Sequence, residues 1–204
     1  MLKKISMIAA TAVFALAGAS QAGTIFSDDF NTEKLELNAE LDKWVVNPGT
    51  VDVIGETPFA FFNFYPGNGN YLDMNGSDQS EGTITTKDAL GLVLGREYRL
   101  TFDYGTNDFP GGFPVLLSFG VGGFVDTLTI ASQPANLMSA IYTFFYDGTS
   151  DFLFFADTSG TAADQGGPVL DNVRLSTVPL PAGGLLLLGA LGGIAALRRR
   201  RKAA

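Results

Sequence analysis

The chain has 204 residues, 46% of them hydrophobic, a formal net charge of −8, and neither cysteine nor histidine. Lack of histidine excludes imidazole acid–base chemistry, His-dependent triads and His-ligated zinc; lack of cysteine excludes disulfides and thiolate metal sites. The acidic balance argues against nucleic acid and anionic headgroups as partners.

Lys3 and Lys4 precede an apolar run from Ile5 to Gly18, and Ser20 and Ala22 supply small residues at the positions a signal peptidase reads. This predicts a signal peptide over residues 1–22 and a mature start at Gly23, with cleavage after Ala19 as the near alternative. A globular domain is expected over 23–177, long enough for one real core.

Short apolar runs separated by Gly, Asn, Asp and Pro then follow. Thr24–Phe30 is the first expected strand, and Asn31–Asp42 is either a loop or a helical turn. Lys43–Val46 and Thr50–Ile54 flank Asn47-Pro48-Gly49 as the arms of a hairpin. Phe59–Tyr65, Tyr71–Asn75 and Gly82–Thr86 come next, the last two bracketing the oxygen-rich loop Gly76–Glu81. In Arg96–Tyr104, the residues Tyr98, Leu100, Phe102 and Tyr104 alternate with Glu97, Arg99, Thr101 and Asp103. That is the period-two pattern of a half-buried antiparallel strand. Phe113–Phe119, Phe124–Ile130, Ala140–Asp147, Asp151–Asp157 and Val169–Ser176 complete the series. About ten strands without a sustained helical period predict an all-β fold, an antiparallel β-sandwich.

Residues 178–204 differ from all of this. Val178-Pro179-Leu180-Pro181-Ala182-Gly183 leads into an apolar run ending at Leu197, followed by Arg198, Arg199, Arg200, Arg201 and Lys202. As a helix, Val178 to Leu197 would be roughly 30 Å long, the thickness of a bilayer core. Pro179 and Pro181 set the helix start close to Ala182, giving a transmembrane helix over about residues 183–197. The five cations hold the far end in the cytoplasm and leave the domain outside. Seven of the 13 cations lie in the two terminal segments, so six remain between them against all 21 acidic residues, a net of −15 for the domain.

This motif, apolar helix and arginine cluster closely resemble the C-terminal sorting tail of the PEP-CTERM class of bacterial surface proteins, in its VPLPA variant. The resemblance implies an inner-membrane precursor with its domain in the periplasm, cleavage near the motif by a membrane-embedded exosortase, and delivery to the cell surface or to extracellular polysaccharide and biofilm. The residues themselves demand only an anchor, so an uncut membrane anchor is the alternative.

The last expected strand carries an anomaly. Asp171 shares a face with Val169, Val173 and Leu175, so a carboxylate falls on the apolar side and needs a partner. Gly167-Pro168-Val169-Leu170-Asp171-Asn172-Val173 resembles the ending of jelly-roll sandwiches of the galactose-binding and carbohydrate-binding-module type. Tyr71–Asn75 and Tyr98–Tyr104 also look like that class. The resemblance implies that the first and last strands are neighbours and, as in many such domains, hold a structural Ca²⁺, with Asp171 and either Asp28 or Asp29 as ligands. The alternative is that Asp171 bonds the backbone or pairs with Arg96, Arg99 or Arg174.

Trp44, Asp73, Asn75 and Asp103 are the candidate ligand-contacting residues. Two loops are acid-rich: Asp73, Asn75, Ser77, Asp78 and Glu81 mimic a calcium loop without its glycine at the sixth position, and 157–167 carries Asp157, Ser159 and Asp164. Solvated turns are the favoured reading of both, since turns use these residues anyway. The expected function is display at the surface or in the matrix without catalysis. The alternatives are a Ca²⁺-dependent carbohydrate-binding module acting on exopolysaccharide and, behind it, a carboxylate-only glycoside hydrolase.

Overall fold

Side chains that alternate between apolar and polar make strands with one buried face, and nearly every such run in this chain pairs with a neighbour. The computed structural model describes residues 22–56, 63–107, 114–160 and 166–179. The expected signal peptide, the tail beyond Pro179 and most of the expected strand Phe59–Tyr65 lie outside them. The described part forms one compact unit, Ala22–Val178.

Among the described residues there are thirteen strands and no helix. They are β1 (Thr24–Asp28), β2 (Trp44–Val46), β3 (Asp52–Ile54), β4 (Tyr71–Asp73), β5 (Asn75–Gly76), β6 (Ser80–Glu81), β7 (Thr83–Thr86), β8 (Glu97–Thr106), β9 (Val115–Val121), β10 (Phe124–Ile130), β11 (Met138–Phe145), β12 (Leu153–Asp157) and β13 (Pro168–Thr177). One sheet runs β11-β8-β13-β4-β3 with β1 also paired to β13; the other runs β10-β9-β12-β7-β2. Both are antiparallel throughout, and the architecture is a jelly-roll-like β-sandwich.

The expected hairpin across Asn47-Pro48-Gly49 does not form. β2 pairs with β7 in one sheet and β3 with β4 in the other, so the turn carries the chain across the sandwich. Trp44 from one side and Val51 and Val53 from the other are all buried in the same core. Gly49 makes the crossing at φ 71°, where an added Cβ would lie 1.9 Å from the Glu81 carbonyl oxygen. Asn31–Asp42 contains no helical turn and meets β3 through the Glu36–Val53 bridge and through the Asn38 N–H, which donates to Asp52 Oδ1 at 2.7 Å. Gly76–Glu81, expected as a plain loop, instead supplies part of the small β5–β6 hairpin.

With no disulfide, the two sheets are held together by aromatic packing. Phe102 from β8 meets Phe119 of β9 at 4.9 Å and Phe155 of β12 at 5.1 Å, both edge to face. All three are buried, so each contributes its full apolar area to the union of the sheets. Tyr65 closes one end of the sandwich: its hydroxyl accepts from the Thr106 N–H at 2.9 Å and donates to the Thr106 carbonyl at 2.8 Å. The absence of a side chain on Gly105 makes room for that ring, since a Cβ there would come within 2.3 Å of the hydroxyl.

β13 organises its sheet. One of its edges pairs with β8 from Pro168 to Thr177; the other pairs with β4 only at Val169–Leu170 and with β1 only from Val173 to Ser176. Around Asp171 and Asn172 the second edge has no strand partner, and the β8 ladder is interrupted by a bulge between Asp171 and Arg174. Phe102→Ala is expected to lower unfolding stability by about 3–5 kcal/mol, read as a fall in the urea midpoint with an unchanged slope.

Candidate functional site

Where β13 passes from β4 to β1, the sheet opens into a polar pocket of about 440 Å³, lined by Ser27, Asp28, Asp29, Lys43, Thr101, Asn172 and Arg174 among others. Asn172 adopts φ 49°, a left-handed conformation that asparagine tolerates better than most residues, and this creates the bulge. Asp171 Oδ1 accepts the Asn172 N–H at 2.7 Å, and Oδ2 accepts from Asn172 Nδ2 at 3.2 Å. The same Nδ2 donates to Asp103 Oδ2 at 2.9 Å, and Asp103 Oδ1 accepts from Ser139 Oγ at 2.5 Å. Asparagine and not arginine is therefore the partner of Asp171. Arg174 turns outward and donates to Thr24 Oγ1 at 2.5 Å.

The structure thus brings Asp28, Asp29, Asp103 and Asp171 into one electrostatic neighbourhood. Burial pushes the Asp171 carboxyl up to about 7, and the charges of Asp103, Asp29 and Asp28 add to the rise. Asp28 is buried but committed: Oδ1 accepts from Lys43 Nζ at 3.1 Å and Oδ2 from Trp44 Nε1 at 2.7 Å. Asp29 is exposed and accepts the Asn31 N–H at 3.2 Å. Among the described residues, no three acidic side chains converge as a metal cage.

Trp44 offers no open face. It is 1% exposed, and its indole packs against Phe26 at 4.9 Å, Phe155 at 6.0 Å and Phe30 at 6.4 Å. Its place among the ligand-contacting candidates is corrected accordingly: hydrophobic burial and the Asp28 hydrogen bond make it a core residue. Only its edge borders a second, smaller pocket of about 280 Å³ beside Glu40 and Lys87.

Asp73 and Asn75 belong to a second group, at the beginning of β13. Asp73 accepts the Asn75 N–H at 3.1 Å and Asn107 Nδ2 at 2.8 Å, while Asn107 Oδ1 accepts the Gly167 N–H at 2.7 Å. Asn75 Nδ2 donates to the Gly166 carbonyl at 3.1 Å. Asp157, at the end of β12, accepts Ser159 N–H and Ser159 Oγ on Oδ1. Burial pushes Asp73 up to about 8 and Asp157 up to about 7, with Asp52 and Asp157 raising the first further and Glu81 the second. Hydrogen bonds from Asn107, Asn75 and Ser159 oppose these rises by favouring the charged forms.

Sequence reasoning missed Asn107 and Lys43 as parts of these groups, and no local pattern marks them; Gly167 stood in the 157–167 loop and in the jelly-roll-like ending without being assigned to a site. Two members of the calcium-like loop, Asp78 and Ser77, are occupied with bonds of their own. Asp78 Oδ1 accepts from Thr50 Oγ1 and Ser80 Oγ, both at 2.5 Å, and Ser77 donates from N–H and Oγ to Asp52 at 3.1 and 2.6 Å. Of the sorting motif, only Val178 and Pro179 are described; Leu180, Pro181, Ala182, Gly183 and the basic end lie outside.

No family model and no curated protein matches the chain. Solved structures do. The CBM22-1 xylan-binding domain of Paenibacillus barcinonensis Xyn10C is 14% identical over 80% of this chain and 99% of its own, with a TM-score of 0.47. A family 35 carbohydrate-binding module from Clostridium thermocellum is 13% identical, covers 65% and 90%, and has a TM-score of 0.39. CBM35 from Paenibacillus barcinonensis is 14% identical, covers 75% and 99%, and has a TM-score of 0.42. At these identities and scores the likeness carries no ligand, site or activity over to this chain.

The raised aspartates give a signed dependence on pH. In the fold Asp73 holds its proton to about 8, and Asp157 and Asp171 to about 7, against the ordinary 3.8 of a free aspartate side chain. The folded state therefore binds more protons than the unfolded chain across that interval. The stability this contributes is complete below the free value and is lost as pH rises through 7 to 8. In chelator, the thermal midpoint is expected to fall between about pH 5 and about pH 8.5, and Asp73→Asn is expected to flatten the fall.

Proposed function

We propose that this chain is an exported, non-catalytic protein of the cell surface or extracellular matrix. It passes through an inner-membrane precursor that signal peptidase and an exosortase-type enzyme process. The observation that carries this reading is the tail from Val178 to Lys202, with its motif, apolar segment and five cations in order. The limits of the sandwich support it. The expected mature start, Gly23, exchanges hydrogen bonds with Thr177, N–H to Oγ1 and carbonyl to N–H, both at 2.9 Å. The Val178 N–H then bonds the Glu97 carbonyl at 3.2 Å, and the first motif proline follows.

Mass determination on native protein from membrane and medium fractions tests the reading. A species from Gly23 to near Ala182 is expected. An intact mass that retains Arg198 to Lys202 supports a plain anchor instead, and full-length protein with its leader in the cytosol overturns the proposal.

A second reading, a module that holds extracellular polysaccharide, is favoured by the open pocket beside β13. It mixes hydroxyl, carboxylate, carboxamide and guanidinium groups, a set suited to sugar hydroxyls. The expected outcome under this reading is retention on a neutral or acidic polysaccharide resin that Asn172→Ala and Arg174→Ala weaken. No retention on any such resin, with or without chelator, defeats it.

A further inference from the structure

The two acid-rich loops that stand far apart in the sequence meet in the fold. They meet across Gly167, where an added Cβ would lie 2.6 Å from Asn75 Cβ and 3.2 Å from Asp157 Oδ2. Asn75 and Asp157 are 2% and 4% exposed, and Asn75 Oδ1 and Asp157 Oδ2 are buried oxygens that accept no hydrogen bond. Such atoms are costly: a buried acceptor without a partner destabilises a fold by about 1–3 kcal/mol. Turning the Asn75 amide does not help. Its Nδ2 already donates to the Gly166 carbonyl at 3.1 Å, and exchange would set oxygen against oxygen. Asp157 Oδ1 is taken by Ser159, so Oδ2 has no local donor.

Asp73 lies beside them. Each of its oxygens accepts one hydrogen bond, from Asn75 N–H and from Asn107 Nδ2, and keeps a lone pair. Asp52 and Glu81 add negative charge nearby. The ion pairs among the described residues are Lys34–Glu36 and Lys43–Asp28, and neither reaches this group. It is a buried set of hard oxygens with net negative charge and two acceptors directed at no donor.

We propose that Asp73, Asn75 and Asp157 form a binding site for a hard divalent cation, Ca²⁺ before Mg²⁺, separate from the junction of the first and last strands. Two carboxylates and a carboxamide oxygen suit Ca²⁺, whose irregular, oxygen-rich shell tolerates such a geometry better than the octahedron of Mg²⁺ does. A bound cation would supply the missing partner of both orphaned oxygens and the missing counter-charge together. It would also pin β12, the start of β13 and the β4–β5 break to one another. The site stands independently of how the chain is sorted.

The test uses the full chain, purified in detergent and stripped with chelator, titrated with CaCl₂ by calorimetry and followed by backbone amide NMR. One saturable site with a dissociation constant of about 10⁻³ M or tighter is expected. Perturbed amides should centre on Asn75, Asp157 and Gly167 and leave Ser27 and Asn172 in place. Asp157→Asn should weaken binding by about tenfold or more, whereas Asp171→Asn should leave it nearly unchanged. Should Asp157→Asn fail to fold, the amide map of the unaltered protein decides. Absence of saturable binding overturns the proposal and leaves the two oxygens to share a proton or a water. Binding that survives Asp157→Asn but is lost in Asp171→Asn, or amide changes centred on Asn172, overturns it in favour of the strand junction.

Discussion

A strand in the middle of a sheet must satisfy backbone donors and acceptors on both edges, and β13 meets that demand with three partners. β8 covers one edge along its length; β4 and β1 divide the other and leave Asp171 and Asn172 between them. The division has two consequences. The backbone bulges at Asn172 and opens the polar pocket where β1 ends on Asp28, while β4 ends on Asp73 opposite Val169, away from the gap, and places the second acid group at the beginning of β13. Both acid groups are thus by-products of how one strand is shared among its neighbours.

Buried carboxylates in a protein without histidine have few ways to be neutralised. A lysine does it at Asp28, asparagines do it by hydrogen bonding at Asp171 and Asp73, and at Asp157 a serine covers only one oxygen. The six cations of the domain cannot match its 21 acids, so protons or external cations must make up part of the difference. Such a domain is sensitive to acidity in a way a disulfide-stapled one is not, because the raised carboxyls of Asp73, Asp157 and Asp171 lie where its strands meet.

Among the described residues the large aromatic side chains are mostly spent on the core. Phe102, Phe119, Phe155, Trp44, Tyr65 and Tyr71 all turn inward, and their packing replaces the disulfides that the chain lacks. Phe145 and Phe152 stay exposed, the first on the edge strand β11. The polar pocket offers hydrogen-bonding and charged groups, with no aromatic residue in its lining.

Local chemistry alone determined much of this protein. The alternation in β8 and the carboxylate out of place in β13 were legible because side-chain period and burial preference act within a few residues; the nearness of first and last strands came only from the resemblance to jelly-roll sandwiches. Tertiary structure decided the rest. Asn47-Pro48-Gly49 reads as a hairpin turn but crosses between sheets, since only pairing with β7 and β4 settles which edge each arm joins. Trp44 reads as a surface aromatic but is claimed by the core. Asn75 and Asp157, 82 positions apart in the chain, become neighbours only because Gly167 lets two loops close on the same point. No periodicity records such a meeting: the energy that enforces it comes from strand pairing and aromatic packing elsewhere in the sandwich.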